Sequence, residues 1–404
     1  MLREALLTVC RKGNHPTGNR ESTCMKFFRS IMSDRWRGKI IPSLFIGPLL
    51  IGAMGLAACA PKFGKHPEGA YLERIEYSPN YSDGAFRNQI DTPQFAPGTT
   101  MFSALFGSAF TKKIRPAPLS PVPSVKTDLK TLDKNRDTVV WLGHSSFYLI
   151  LGGKRILIDP VFSHYAAPFA SFNHAFAGTN VYTAEDMPEI DYLLITHDHW
   201  DHLDYPTVTA LAHKVRYAVT GLGVGAHLRH WGYAGEKIHE GDWYDTIAPE
   251  TDFTIHVLPA RHFSGRFLTR NKTLWSGFAL KTPARQILIS GDSGYGPHFA
   301  EIAARFGGFD LAILENGQYD PRWPYIHMAP EETARAAVDL KAKALLPDHS
   351  GKFSMASHPW DEPLKRLTAA SLDKPYRLLT PVIGDPVFLD DEKQVFPAWW
   401  QGME

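Results

Sequence analysis

From Val139 onward the apolar residues fall into short runs bounded by turn residues: VVWL (139–142), FYLIL (147–151), RILI (155–158), YLLI (192–195), TIHVL (254–258), GFAL (277–280), QILIS (286–290), DLAIL (310–314) and KALL (343–346). Runs this short predict strands. Between them, 206–213, 297–306 and 330–340 read as helices. Pro206 and Pro330 open two of these, and Pro297 is expected at the first position of the third. Early strands follow one another through tight turns such as Gly152-Gly153, whereas later ones alternate with helices. The pattern predicts an α/β layered fold with mixed sheets. No internal sequence repeat emerges.

The preceding stretch has a different texture. Residues 60–136 are rich in Pro, Gly, Ser and aromatics without a sustained period, as in RPAPLSPVPSVKTD at 115–128, and read as an irregular strap or linker. The expected organisation is an N-terminal extension over 1–59, the strap over 60–136 and one catalytic-sized domain over 137–404. Within the strap, residues 95–110 (FAPGTTMFSALFGSAF) are apolar and aromatic; they are expected either to pack on the following domain or to meet lipid.

Charge separates the first 59 residues from the rest. The chain of 404 residues holds 43 Lys+Arg against 42 Asp+Glu, but nine basic and three acidic residues lie in 1–39, and 40–58 carry no charge. The uncharged run ends in Leu56-Ala57-Ala58-Cys59, which reads as a secretory signal with small residues at the cleavage point. This ending resembles a bacterial lipoprotein box, in which the cysteine is lipidated and becomes the first mature residue. An uncleaved membrane anchor is the alternative, although Pro42 and Pro48 interrupt the run. Met25 or Met32 would give a tidier start. The expected location is the bacterial cell envelope, lipid-anchored through Cys59 and facing the periplasm, at the outer rather than the inner membrane.

Two consequences bear on function. The other cysteines, Cys10 and Cys24, precede Cys59, so a cleaved chain must do its chemistry with His and carboxylates. From Ala60 onward 34 basic residues face 39 acidic ones, which gives no case for a nucleic-acid partner. Hydrophobic residues at 44% and charged ones at 21% exclude a disordered, collagen-like or multi-span membrane chain.

The candidate chemistry begins where YLLI runs into Thr196-His197-Asp198-His199-Trp200-Asp201-His202-Leu203-Asp204. Three histidines and three aspartates within 197–204, on the loop after a buried strand, form a donor set that divalent metals such as zinc need. Further such residues follow later apolar runs: His262 after TIHVLPA, Asp292 in ISGDSG, and His349 after KALLPD. Each sits where a run ends, so all can converge on one edge of the layered sheets.

This H-x-H-x-D-H pattern, with His262, Asp292 and His349 in order, resembles the metallo-β-lactamase superfamily, whose fold is an αββα sandwich of two mixed sheets with helices outside. The resemblance implies two zinc ions, with iron or manganese as other metals such donors accept. It places His197, His199 and His262 on one metal, Asp201, His202 and His349 on the other, and Asp292 between them. Two cations about 3.5–4 Å apart lower the pKa of a shared water and stabilise negative charge on the attacked group. Asp292 stands where some true β-lactamases carry cysteine.

Several stretches look closer to the N-acylphosphatidylethanolamine-hydrolysing phospholipase D branch: Trp141-Leu142-Gly143-His144, the 158–163 segment, Asn271-Lys272-Thr273-Leu274-Trp275, Gly291-Asp292-Ser293-Gly294-Tyr295, and Tyr319-Asp320-Pro321-Arg322-Trp323 followed by Ile326-His327-Met328-Ala329-Pro330. This likeness covers about residues 137–370. It implies a dinuclear zinc hydrolase of phosphodiesters, with phospholipase D-type cleavage of N-acylphosphatidylethanolamine-like phospholipids. Asp201, Asp292 and His327 are then the catalytic set, His327 lying near a phosphate or leaving group. The alternatives are a lactonase or β-lactamase-type ring hydrolase on the same site, or a non-catalytic envelope metal-binding protein. His144 and Asp159 are read either as groups orienting the metal ligands or as turn residues. Asp204 is expected to bond a ligand histidine, with capping of the next helix as the alternative. Arg322 with Trp323 reads as a head-group site or a packing pair.

Overall fold

A computed structural model of the protein describes residues 60–100, 103, 113–266 and 269–403. The expected signal with Cys59, and most of the 95–110 segment, lie outside the described residues. Ala70–Glu76 forms a short helix (α1), and Tyr81–Ser82 (β1) pairs with Ala85–Phe86 (β2) in a small hairpin.

All the strands expected from the short apolar runs form, with ends within two residues of the expected ones. Thr138–Gly143 (β3), Ser146–Leu151 (β4), Lys154–Ile158 (β5), Ile190–Ile195 (β6), Val215–Gly221 (β7) and Ile238–Gly241 (β8) make one sheet. Thr246–Glu250 (β9), Phe253–Leu258 (β10), Gly277–Lys281 (β11), Gln286–Ile289 (β12), Leu311–Glu315 (β13), Ala344–Asp348 (β14) and Arg377–Leu378 (β15) make the second. Pro386–Phe388 (β16) returns to pair antiparallel with β3, so each sheet has seven strands. The two sheets share one pairing succession. Neighbours are antiparallel across β16-β3-β4-β5 and parallel across β5-β6-β7-β8; likewise they are antiparallel across β9-β10-β11-β12 and parallel across β12-β13-β14-β15.

Period-two alternation along each strand builds the layers. On β4, Phe147, Leu149 and Leu151 pack between the sheets with Ile255, Phe278, Ile287 and Ile313. Tyr148 and Ile150 turn the other way, onto Val208 and Leu211 of the helix Tyr205–Leu211 (α2) and Leu228 of Gly225–His230 (α3). On the far side, Leu288, Ala312 and Leu345 meet His298–Phe306 (α4), Pro330–Asp339 (α5) and Glu362–Ala370 (α6) through Ile302, Ala337 and Leu367. The result is helix, sheet, sheet, helix. Helix ends differ slightly from expectation: Pro297 is the residue before α4 rather than its first, and Pro206 is the second residue of α2. Among the described residues, no helix is long and apolar enough to cross a membrane.

In the parallel halves the carboxyl ends of neighbouring strands share an edge, where α/β sheets place their ligands. Asp159 follows β5, the 196–204 loop follows β6, Asp292 follows β12, Glu315 ends β13 and His349 follows β14.

Candidate metal centre

At this edge His144, Asp159 and His349 turn sharply out of their strands, with φ of 53°, 40° and 57°. Non-glycine residues rarely adopt this left-handed backbone, at a cost of about 1–3 kcal/mol each, and it clusters at functional sites. Gly291 does the same for the end of β12 (φ 59°): a Cβ there would lie 2.8 Å from the carbonyl of Ser276 and 2.9 Å from Cβ of Thr196. The crossing that brings Asp292 beside the 196–204 loop therefore needs glycine.

The structure brings all seven expected metal ligands together, buried except for half-buried His199. Donor atoms of His197, His199, His262 and Asp292 lie within 4.8 Å of one another, as do those of His144, Asp201, His202 and His349. Asp292 joins the groups. Its Oδ2 is 3.6 Å from His262 Nε2 and 3.1 Å from His349 Nε2, and its Oδ1 is 3.1 Å from His202 Nε2. Asp201 Oδ2 lies 3.1 Å from His349 Nε2 and 3.4 Å from His202 Nε2.

Hydrogen bonds at the back of the rings fix which nitrogen faces inward. A carbonyl can only accept, so His262 carries its hydrogen on Nδ1, 2.8 Å from Ile326 O. His202 donates from Nδ1 to Asp159 Oδ2 at 2.8 Å. Thr196 gives its hydroxyl hydrogen to the same carboxylate at 2.5 Å and accepts from His197 Nδ1 at 3.0 Å. The Nε2 lone pairs of these three rings consequently point into the pocket. His199 Nδ1 stands 2.9 Å from His197 Nε2 and 3.2 Å from His262 Nε2. A hydrogen on His199 Nδ1 can satisfy only one of these lone pairs fully, whereas a cation between the three nitrogens satisfies them all. Bonds of about 2.0–2.1 Å to one zinc would space tetrahedral ligands about 3.3 Å apart, close to these separations. The donor set fits a divalent metal, and the pocket's outer hydrogen bonds are those that ligating imidazoles need.

Protonation follows the same division. Burial, reinforced by neighbouring imidazoles, depresses His197, His199 and His262 well below the usual histidine range. Burial acts on His202 and His349 in the same direction, but the Asp292 and Asp201 carboxylates outweigh it and hold both above that range. Those carboxylates are in turn kept well below theirs against burial, Asp292 mainly by His202 and His349, Asp201 mainly by His202 and His144. A divalent cation bound there would take the place of the Nε2 protons on His202 and His349.

Other expected residues divide. Asp159 orients His202, and His144 Nε2 reaches Asp201 Oδ2 at 2.9 Å, so both serve ligands. Asp204 does not: its carboxylate accepts from Ser163 Oγ at 2.8 Å and Thr207 Oγ1 at 2.5 Å. The expected bond to a ligand histidine is absent because Ser163, distant in sequence, reaches it first. Arg322 pairs with Asp320 at 2.6 Å and lies 4.7 Å over the Trp323 ring, the packing arrangement. His327 lies with its ring 5.0 Å from that of His262 and 5.2 Å from that of His349. It also lines a cavity of about 510 Å³ with Tyr319, Pro321 and Pro324.

Sequence reasoning missed the scaffold under the loop. Asp198 accepts from Gly265 N at 2.7 Å, Thr273 Oγ1 at 2.9 Å and His227 Nε2 at 3.2 Å. Buried Arg266 donates to the carbonyls of Asp198 at 2.7 Å, Leu203 at 2.8 Å and Lys62 at 2.8 Å. Glu315 was missed as well. The signal available for Glu315 was a lone charged residue at the end of an apolar run.

Comparison with known proteins agrees with this architecture. A family model described as a beta-lactamase superfamily domain matches residues 154–350. An uncharacterized Mycobacterium tuberculosis (strain ATCC 25618 / H37Rv) protein is 38% identical over 330 residues, covering 81% of this chain and 88% of the relative. The outer membrane protein RomA of Klebsiella pneumoniae is 63% identical over 105 residues, 26% of this chain and 80% of that protein. N-acyl-phosphatidylethanolamine-hydrolyzing phospholipase D 1 of Caenorhabditis elegans is 31% identical over 235 residues, 54% of this chain and 64% of its own length. With two mixed sheets under outer helices and a His/Asp cluster at their shared edge, the chain belongs to the metallo-β-lactamase superfamily and is one of its metal-dependent hydrolases.

Proposed function

We propose that the protein hydrolyses phosphodiesters of the N-acylphosphatidylethanolamine class of phospholipid, cleaving on the head-group side to leave phosphatidic acid. The observation that carries this reading is the pair of donor groups joined through Asp292, with His327 and its cavity alongside. The named phospholipase D relative supports the substrate class.

His197, His199 and His262 would hold one zinc, Asp201, His202 and His349 the other, with Asp292 shared. The metal pair supplies Lewis acidity to the phosphate oxygens and lowers the pKa of water towards neutrality. The chain's own part is to keep the Nε2 lone pairs of His197, His202 and His262 inward through Thr196, Asp159 and Ile326. Asp201 and Asp292 stay ionised, which balances the metal charge. His327 stands at the leaving-group side, between the pocket and the cavity.

Location belongs to the same proposal. The lipoprotein-type ending at Cys59 and the likeness to an outer membrane protein support an envelope enzyme anchored by lipid at the surface where its substrate lies. The test is the purified, zinc-loaded protein on N-acylphosphatidylethanolamine vesicles, with a generic phosphodiester, a lactone and a β-lactam in parallel. About two zinc per chain and release of phosphatidic acid are expected. Ring opening without any phosphodiester cleavage would replace this reading with the ring-hydrolase alternative.

A further inference from the structure

Glu315 ends β13 fully buried, beside the pocket yet in none of the donor groups among the described residues. A buried carboxylate without strong partners is costly, and this one is held at both oxygens. Oε2 accepts the backbone N–H of Ser293, next to Asp292, at 2.5 Å, and Oε1 lies 2.5 Å from His327 Nδ1. The backbone of Glu315 is pinned too: its N–H donates to Ser290 Oγ at 3.1 Å, and its carbonyl accepts from Thr333 Oγ1 at 2.8 Å. Glu315 is thus fixed, and His327 is placed by it.

An ionised carboxylate only accepts, so Nδ1 of His327 carries the hydrogen of this bond. Nε2 is left as the ring's other nitrogen, and His327 lines the cavity. A ring nitrogen of His327 lies within 4.8 Å of donor atoms of Asp292 and His349, so the ring is at the metal pocket and the cavity at once. Glu315 Oε1 also lies 3.6 Å from His349 Nδ1, but its short bond is to His327.

We propose that Glu315 is the positioning residue that holds His327 with Nε2 towards the leaving alcohol of a phosphodiester, to which His327 gives a proton. The inference rests on the phosphodiesterase reading. In the step it describes, the oxygen of a water forms a bond to phosphorus and the bond from phosphorus to the head-group oxygen breaks, its electron pair staying on that oxygen. The proton from His327 Nε2 neutralises it, and the proton lost by the water balances the sum, leaving a phosphate monoester and an alcohol.

A leaving group that needs no proton separates this role from a structural one. Zinc-loaded full-length protein, E315Q, E315D, H327N and E315Q/H327N would be compared on N-acylphosphatidylethanolamine and on bis(4-nitrophenyl) phosphate, whose phenolate departs unaided. E315Q is expected to lower kcat on the phospholipid about 100-fold, in the range for a lost proton donor, with KM unchanged; the comparison is made at saturating zinc, because Glu315 Oε1 also lies 3.6 Å from His349 Nδ1. On the nitrophenyl ester its kcat should fall less than about threefold. The double variant should be no worse than H327N, because the glutamate acts through the histidine. Equal losses on both esters, additive losses, no loss, or failure of both E315Q and E315D to fold and hold zinc would each overturn the assignment. If the wild type cleaves neither ester, the proposed function fails and this inference with it.

Discussion

Asp159 Oδ2 receives the Nδ1 hydrogen of His202 at 2.8 Å while its other oxygen takes the backbone N–H of Thr196 at 2.8 Å, so one carboxylate sets both a ligand ring and the start of the ligand loop. Partners of this kind are worth about 10–100-fold in metal affinity. D159N should therefore weaken the metal proposed for Asp201, His202 and His349 by about that factor, and the one proposed for His197 less, since Thr196 still meets His197 Nδ1. Zinc titration is expected to show one tight and one weakened site; two unchanged sites would refute this.

Asp292 is a donor of the first group, and its carboxylate oxygens also lie 3.1 Å from His202 Nε2 and from His349 Nε2 of the second. D292N should lose at least one zinc per chain and about 100-fold or more in kcat, since a shared cation pair no longer stabilises the reacting oxygens. Elemental analysis and turnover on one preparation check this. Unchanged turnover would revive a non-catalytic role.

Lys352 is fully buried, its Nζ donating to Val161 O at 2.7 Å, and burial lowers its pKa from 10.5 to about 7, against a small opposing pull from Asp204. Between these values the unfolded chain keeps a proton that the native lysine releases, so this group costs stability as pH falls from 10.5 to 7 and no more below that. K352M removes the cost and also the bond to Val161. Its melting temperature relative to wild type should be most favourable at pH 7 and decline steadily towards pH 10.5, a drift on the order of a few kcal/mol. A flat difference across that range would show the lysine to be charged throughout.

Arg266 bonds two carbonyls of the metal loop, those of Asp198 and Leu203, and that of Lys62, and lies 4.0 Å over the Trp200 ring. Lysine cannot reproduce its planar fork. R266K should leave buried carbonyls unpaired, at about 1–3 kcal/mol each, lowering the melting temperature and zinc affinity together. Thermal unfolding with and without chelator separates the two effects.

Cys59 is expected to carry lipid. Wild-type cells fed a labelled fatty acid should yield labelled protein in the membrane fraction, and C59A should not. A C59A protein that still takes up label would leave the membrane-anchor alternative.

The donors were legible in the sequence because each ends an apolar run, and a run's end is visible without knowing its neighbours. His197, His199, Asp201 and His202 also share one short loop. Edge strands such as β8 and β9 were not legible: IHEG and TIAPE carry polar residues that partner strands accommodate. Pairings across long separations were equally hidden, which is why Asp204 was assigned to a ligand rather than to Ser163. Glu315 stands one residue past the DLAIL run, and only folding sets it against His327, twelve residues on.

The two sheets with their common pairing succession each bring part of the pocket and neither brings a complete set. His144, Asp159 and the 196–202 loop come with the first; His262, Asp292, Glu315 and His349 come with the second. A bound cation is therefore a clasp between two halves of the chain. Metal capture would report that both halves have docked, and a partly folded chain, having only half the donors, would lack a complete centre.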